Sequence, residues 1–310
     1  MVITHAERLT WIRCRPAGVV RIQCFVSDNR AVDRVSLKSK FRYYLTMAKA
    51  RMARGRARDA SKPACIICGA SIAVDHAVWT EREASSCAVC GSNMRFRSLI
   101  AAWQQTMPQI GVTEVLLDAR RDKTIIGLGM SDAGIYACVL AEKYAYANTF
   151  FHMEPRLDIR DPQPEWIGRH DFVLSSDVLE HVDGDPAVAF ANLRKLLKPG
   201  GVLALSVPYG RQDVTIEHYP DLYDYRIEGA GTARILVNRT MAGVEQRFGN
   251  LCFHGGDGST LELRIYALGD VQRLLQEAGF GSIQVHGADL PEWGIANRHD
   301  LGLPITAIAL

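Results

Sequence analysis

Two apolar patterns alternate along the last two thirds of the chain. Short continuous runs such as residues 201–207, bounded by Gly, Pro or Asp, have the length of buried strands. Segments such as 185–197, with apolar residues three and four apart, have the period of an amphipathic helix. The patterns predict strand 124–129, helix 133–144, strands 147–152, 156–159 and 171–176, helix 185–197 and strand 201–207. Helix 267–278 and strands 281–286 and 303–310 complete the series. Strands separated by helices predict an α/β fold with a mainly parallel sheet covered on both faces.

One connection is out of proportion. The stretch between Pro208 and Ala267 far exceeds an ordinary α/β connection of about 2–6 residues. Its strand-like pieces "YDYRIEG", "RILVNRT" and "EQRFGNLCFHGG" predict a small antiparallel cap, 209–266, above the sheet edge. Long insertions at the C-terminal ends of parallel strands commonly cover active sites.

Upstream the pattern changes. Residues 1–35 show no firm period, whereas Phe41, Tyr44, Leu45, Ala48 and Met52 place one apolar stripe on a strongly basic helix. In "MRFRSLIAAWQQTMPQI" a second helix is expected, with Phe96, Leu99, Ile100 and Trp103 on one face. The chain thus divides into a basic extension (1–60), a cysteine module with its helix (61–110) and an α/β body (111–310).

Composition adds bounds. At 48% hydrophobic and 23% charged residues the chain is an ordinary globular protein. It has no apolar run of about 18 residues and no signal-peptide order at its start, so a cytoplasmic location is expected. The net charge of +2 conceals an asymmetry, because residues 1–60 carry 14 Lys/Arg against 4 Asp/Glu and leave 22 against 30 for the rest. Such a head suits RNA or an acidic membrane surface, with a solvated extension as the plainer reading.

Cysteine spacing carries the first chemistry. Cys65-x2-Cys68, an 18-residue gap and Cys87-x2-Cys90 match a four-thiolate Zn2+ site. Gly69 and Gly91 would let each knuckle turn tightly. With four protein ligands the site is closed, so the metal would fold the module and leave function elsewhere. Arg95 and Arg97 follow the second knuckle as candidate phosphate or RNA contacts.

The second candidate is "TIIGLGMSDAG", a strand running into a glycine turn and a helix. Downstream, "SDVLEHV" and "LKPGG" frame a strand, helix and strand, and "LLQEAGF" follows near the end. Over residues 120–310 this ordered set resembles the class I S-adenosylmethionine-dependent methyltransferases. The resemblance implies a Rossmann-like, mainly parallel sheet, here with a zinc-ribbon module ahead of it and the antiparallel cap within it. It implies S-adenosylmethionine as cofactor, with Gly127, Gly129, Ser131 and Asp132 under its methionine part. Gly127 stands where the family keeps an acidic residue, and Ser131 takes the place of a glycine. Glu154 is the candidate for the ribose hydroxyls, and Asp158 and Ile159 for the adenine. Ser176, Asp177 and Leu179 would border the methionine and adenine side.

His181, beside Glu180, is a candidate base because imidazole titrates near neutral pH. On the cap, His218 and His254 are further candidates. The leading expectation is methyl transfer to a small polar or sugar-like metabolite. A zinc-ribbon RNA methyltransferase and a non-catalytic protein that retained the fold are the alternatives. Nothing in the sequence sets the oligomeric state.

Overall fold

The computed structural model describes residues 62–72, 81–110, 113–254, 260–297 and 301–310, all within the unit Arg34–Leu310. The unpatterned residues 1–35 and the basic amphipathic helix lie outside the described residues. Helix α1 (Met94–Thr106) starts at Asn93, whose side chain accepts a hydrogen bond from the Phe96 amide and so satisfies one free N–H of the helix start. Leu99, Ile100 and Trp103 of α1 are wholly buried, each contributing roughly 2 kcal/mol.

The body runs β1 (Ile126–Met130), α2 (Gly134–Lys143), β2 (Ala145–Thr149), β3 (His170–Ser176), α3 (Pro186–Leu196) and β4 (Leu197–Ser206). The insertion follows, from β5 (Tyr209–Gly210) and β6 (Ile216–Glu217) through β7 (Asp224–Glu228), β8 (Ile235–Arg239) and β9 (Glu245–Phe248). It closes with β10 (Phe253–His254), β11 (Thr260–Leu261) and β12 (Arg264–Ala267). The chain ends in α4 (Leu268–Glu277), β13 (Phe280–Val285) and β14 (Ile305–Ala309).

Six strands form the central sheet in the order β13-β14-β4-β3-β1-β2. β2, β1, β3 and β4 are mutually parallel, and β14 inserts antiparallel between β4 and β13. Side chains alternate across the sheet. Phe172, Leu174, Val202 and Ala204 face one core with α1 and α2, whereas Leu128, Val173, Leu203 and Leu205 face the other with α3 and α4. Cys65, Ile66, Ile67, Cys68, Cys87 and Cys90 belong to the first of these cores, so the cysteine segment shares its apolar packing with the α/β body. Backbone bonds from Leu116 to Ile66 and from Leu117 to Ile67 fasten the two further.

The strand expected over 156–159 does not form. Phe150 donates to Pro155 and Leu157 donates back to Phe150, which commits this backbone to a tight loop with one bridge, Phe150 to Arg156. The cap is antiparallel as expected in its outer part, the β7-β8-β9 meander. Its inner part is mixed, because β12 runs parallel to β5 and antiparallel to β6.

Candidate active site

The four cysteines converge. Cys65 Sγ lies 3.7 Å from Cys90 Sγ, and Cys68 Sγ lies 3.7 Å from Cys87 Sγ. Four sulfurs at about 2.3 Å from a tetrahedral ion stand about 3.8 Å apart, so the donor set fits Zn2+ in type, number and spacing. Gly69 and Gly91 take φ of 75° and 77° and donate to the Cys65 and Cys87 carbonyls, which is why the knuckles need glycine. Arg97, expected at the surface, is instead wholly buried and donates to Gly294 O and Ser92 O. It sets a positive charge near the four sulfurs.

At the β1 turn the two strand glycines answer to packing. Gly127 is flanked in register by Tyr146 on β2 and Phe172 on β3, and those two rings stack at 5.9 Å with a 15° interplanar angle. A Cβ on Gly127 would overlap the Phe172 ring, and one on Gly129 would overlap the Tyr146 hydroxyl and the Asp132 carboxylate. Asp132 turns inward, accepting from Tyr136 Oη at 2.8 Å and from Tyr146 Oη. Burial pushes its pKa up to about 7 against the lowering effect of the two phenols. The carboxylate is thus held in the core by the two phenols.

Beyond the strand, the turn matches its expected form. Ser131 adopts φ 57°, the left-handed conformation that a glycine takes without strain. Thr149 O accepts from the Ser131 amide, and the Asn148 side chain bonds both the amide and the carbonyl of Asp132. Ala133 then opens α2 without a side-chain cap, and a Cβ on Gly134 would meet nothing within 4 Å. An uncapped helix start beside open space suits an anionic group.

At the end of β3, Asp177 is a second non-glycine residue at positive φ, 51°. Its carboxylate takes both Arg82 Nη atoms at 2.9 Å and the Ser206 hydroxyl at 2.7 Å. Burial works to raise the Asp177 pKa, but Arg82, Arg95 and Ser206 outweigh it and hold the group below the usual carboxylate range. Arg95 also donates to Ser176 Oγ at 2.6 Å and to Glu83. The cysteine segment therefore supplies two guanidinium groups to the C-terminal edge of the sheet.

A family profile described as a methyltransferase domain matches residues 110–285, more than half of the chain. The chain belongs to the class I S-adenosylmethionine-dependent methyltransferases. Among solved structures it is similar to the 1,6-didemethyltoxoflavin N1-methyltransferase of Burkholderia thailandensis, at 15% identity over 76% of this chain and 81% of that one, with a TM-score of 0.36. It is similar also to CalS10, an amino pentose methyltransferase from Micromonospora echinaspora, at 15% identity over 71% and 93%, TM-score 0.39. For the glycopeptide N-methyltransferase MtfA the values are 15% identity, 68% and 94%, and 0.39. At these TM-scores the likenesses add nothing to the family match. No curated protein matches the sequence.

In this methyltransferase the remaining expected cofactor residues are placed unequally. Glu154 is exposed on the loop after β2 and accepts from the Arg156 amide. Asp158 is half-buried and held by Arg160 through Nε at 2.9 Å and Nη2 at 2.7 Å, while Ile159 is buried beside it. Leu179 is wholly covered within the α3/α4 core.

The inner part of the insertion is stitched to the segment after β3. Leu263 donates to Glu180 O, and Arg264 donates to Val182 O and Gly184 O while its Nε meets Glu217 at 2.8 Å. His181 Nδ1 lies 2.8 Å from Leu261 O, and because a carbonyl only accepts, Nδ1 carries the proton. His218 Nε2 lies 2.9 Å from Glu262 Oε1. His254 is placed on β10 in register with Thr260. A separate cavity of about 330 Å³ opens at the end of β4, lined by Tyr209, Gln212, Asp213 and Leu268 among others, away from the Ser131 turn.

Sequence reasoning passed over Arg82, Asn148, Thr149 and Glu262. No local motif marks them: each gains its role from a partner on a different strand or loop.

Proposed function

We propose that the chain transfers a methyl group to a small polar or sugar-like acceptor held between the end of β3 and the 209–266 cap. The observation that carries this reading is the uncapped, open start of α2 behind the left-handed Ser131. S-adenosylmethionine, when bound, supplies a methyl carbon already activated on a sulfonium sulfur, which leaves the chain to align the acceptor and remove one proton. The first amides of α2 would take the methionine carboxylate, with Gly127, Gly129 and Asp132 shaping the turn from within. Ser176 and Asp177 would border the methionine, and Leu179 would support them from the core. Glu154 would serve the ribose, and Asp158 with Ile159 the adenine, Asp158 exchanging Arg160 for the ligand.

His181 would act as base through Nε2, since Nδ1 is committed to Leu261. His218 and His254 would contact the acceptor from the cap. Cys65, Cys68, Cys87 and Cys90 would hold a structural Zn2+, which fixes the segment carrying Arg82 and Arg95 and takes no part in the reaction. In this reading residues 61–110 support the 111–310 body, and residues 1–60 are an appendage.

An RNA acceptor draws less support. Arg97 is buried, and Arg82 and Arg95 are tied to Asp177, Ser176 and Glu83, so the arginines beside the knuckles are not presented to phosphate. Label transfer from methyl-labelled S-adenosylmethionine to a panel of amino sugars and polar metabolites tests the acceptor class. Transfer to RNA with none to the panel would reject it. For the base, His181→Ala should lower kcat by about 100-fold with little change in KM. An equal loss in His181→Ala cofactor affinity would argue for a structural role.

A further inference from the structure

We propose that His218, Cys252 and Glu262 form a second metal site, which takes a divalent transition-metal ion such as Zn2+ independently of the four-cysteine cluster. The three side chains bring one nitrogen, one sulfur and one oxygen within 4.8 Å of one another. His218 Nε2 is 2.9 Å and Cys252 Sγ is 3.5 Å from Glu262 Oε1. Around a tetrahedral zinc, with bonds of about 2.0–2.3 Å, such ligands stand about 3.3–3.6 Å apart. The His218–Glu262 and Cys252–Glu262 separations lie within about half an ångström of these values.

The scaffold holds the ligands in place through backbone. Glu262 N donates to Cys252 O at 2.9 Å, His218 N donates to Leu263 O at 2.8 Å, and Cys252 N donates to Tyr219 Oη at 2.9 Å. Three separate stretches of the insertion are thereby locked at one point. Preorganisation of this kind lowers the ordering cost of binding.

A further buried carboxyl group borders the cluster through the backbone. Glu180 is wholly buried with neither carboxylate oxygen hydrogen-bonded, and its carbonyl takes the amide of Leu263, next to Glu262. Burial pushes the Glu180 carboxyl well above the usual carboxylate range, which favours its neutral form, and His181 Nε2 lies 3.6 Å from its Oε1.

The donor set also names the ion class. A thiolate with an imidazole selects zinc-like ions over Mg2+ and Ca2+, which prefer oxygen. Three protein ligands leave one position open, for water or for an oxygen of a bound molecule. With its Nε2 on the ion, His218 would reach an acceptor only through that open position; the site itself rests on the geometry of the three ligands and is tested without any acceptor.

Residue-resolved alkylation of the full chain with iodoacetamide, with and without added Zn2+, tests the site. Zinc should slow alkylation of Cys252 by at least about tenfold, because a coordinated thiolate is a poor nucleophile, and His218→Ala should abolish that protection. Metal counting should give one equivalent fewer in His218→Ala than in the wild type. Cys252 alkylation that ignores Zn2+ in the wild type would overturn the proposal without recourse to a variant. So would a folded His218→Ala chain that keeps the full protection and metal content.

Discussion

Arg82 and Asp177, 95 residues apart, meet in a bidentate ion pair with both Nη–Oδ distances at 2.9 Å. The pair joins the cysteine segment to the end of β3 and holds Asp177 in a left-handed conformation that few side chains tolerate. Removing the guanidinium leaves a largely buried carboxylate with only the longer Arg95 contact at 3.3 Å and the Ser206 hydroxyl. Arg82→Ala should cost roughly 2–3 kcal/mol in urea unfolding, less than a fully buried pair because both side chains keep some solvent contact. Arg82→Lys should recover only part of this, since an ammonium cannot make the two parallel bonds. Equal stability of Arg82→Ala and wild type would show that the pair is ornamental.

The glycines around β1 should split by role. Gly127→Ala should destabilise by about 2 kcal/mol or more, because its methyl must displace the Phe172 ring in a packed core. Ser131→Gly should stabilise by up to about 1 kcal/mol, relieving a left-handed serine. Thermal melting of both variants checks the pair. The same sign for both would contradict the packing account.

Asp132 sets a pH dependence. Its folded pKa of about 7 lies above its ordinary value of 3.8, so the folded chain keeps a proton that the unfolded chain loses in between. Its contribution is full below about pH 4 and is lost as pH rises through about 7. Relative to Asp132→Asn, the wild type should lose roughly 2 kcal/mol of unfolding free energy between pH 5 and pH 8. A pH-independent difference between the two proteins would refute the raised pKa.

Periodicity made most of the body legible: the helices around Ile135 to Leu140 and Phe190 to Leu196 and the strands at Leu128, Val173 and Leu203 carry their own apolar patterns. The convergence of the four cysteines was equally plain, because the two Cys-x2-Cys turns are written in local spacing. What the sequence could not convey was long-range partnership. The resemblance marks Gly127, but the stacked Tyr146 and Phe172 rings that leave no room for a side chain there are set by strands far apart in the chain. Arg97 reads as a surface charge until Gly294 O is found against it. The expected strand at 156–159 failed for a related reason: Phe150, Pro155 and Leu157 satisfy one another's backbone groups first.

The shared core bears on metal removal. Because Cys65, Cys68, Cys87 and Cys90 pack with Trp103, Tyr136 and Phe172, extracting Zn2+ with a strong chelator should destabilise the α/β body along with the knuckles. Differential scanning calorimetry should show one transition moving down as a whole. Two transitions, with the larger unmoved, would mean that the cysteine segment folds by itself.

The central claim is that the open start of α2 receives the cofactor. Calorimetric titration with S-adenosylmethionine, on wild type and on Gly134→Asp, tests it most directly. The added carboxylate has room, favours the helix start and repels a bound carboxylate, so the variant stays folded. Binding of one cofactor per chain, weakened at least about tenfold by Gly134→Asp, is the predicted result. No binding to the wild type at millimolar cofactor, or equal binding by the two proteins, would contradict it.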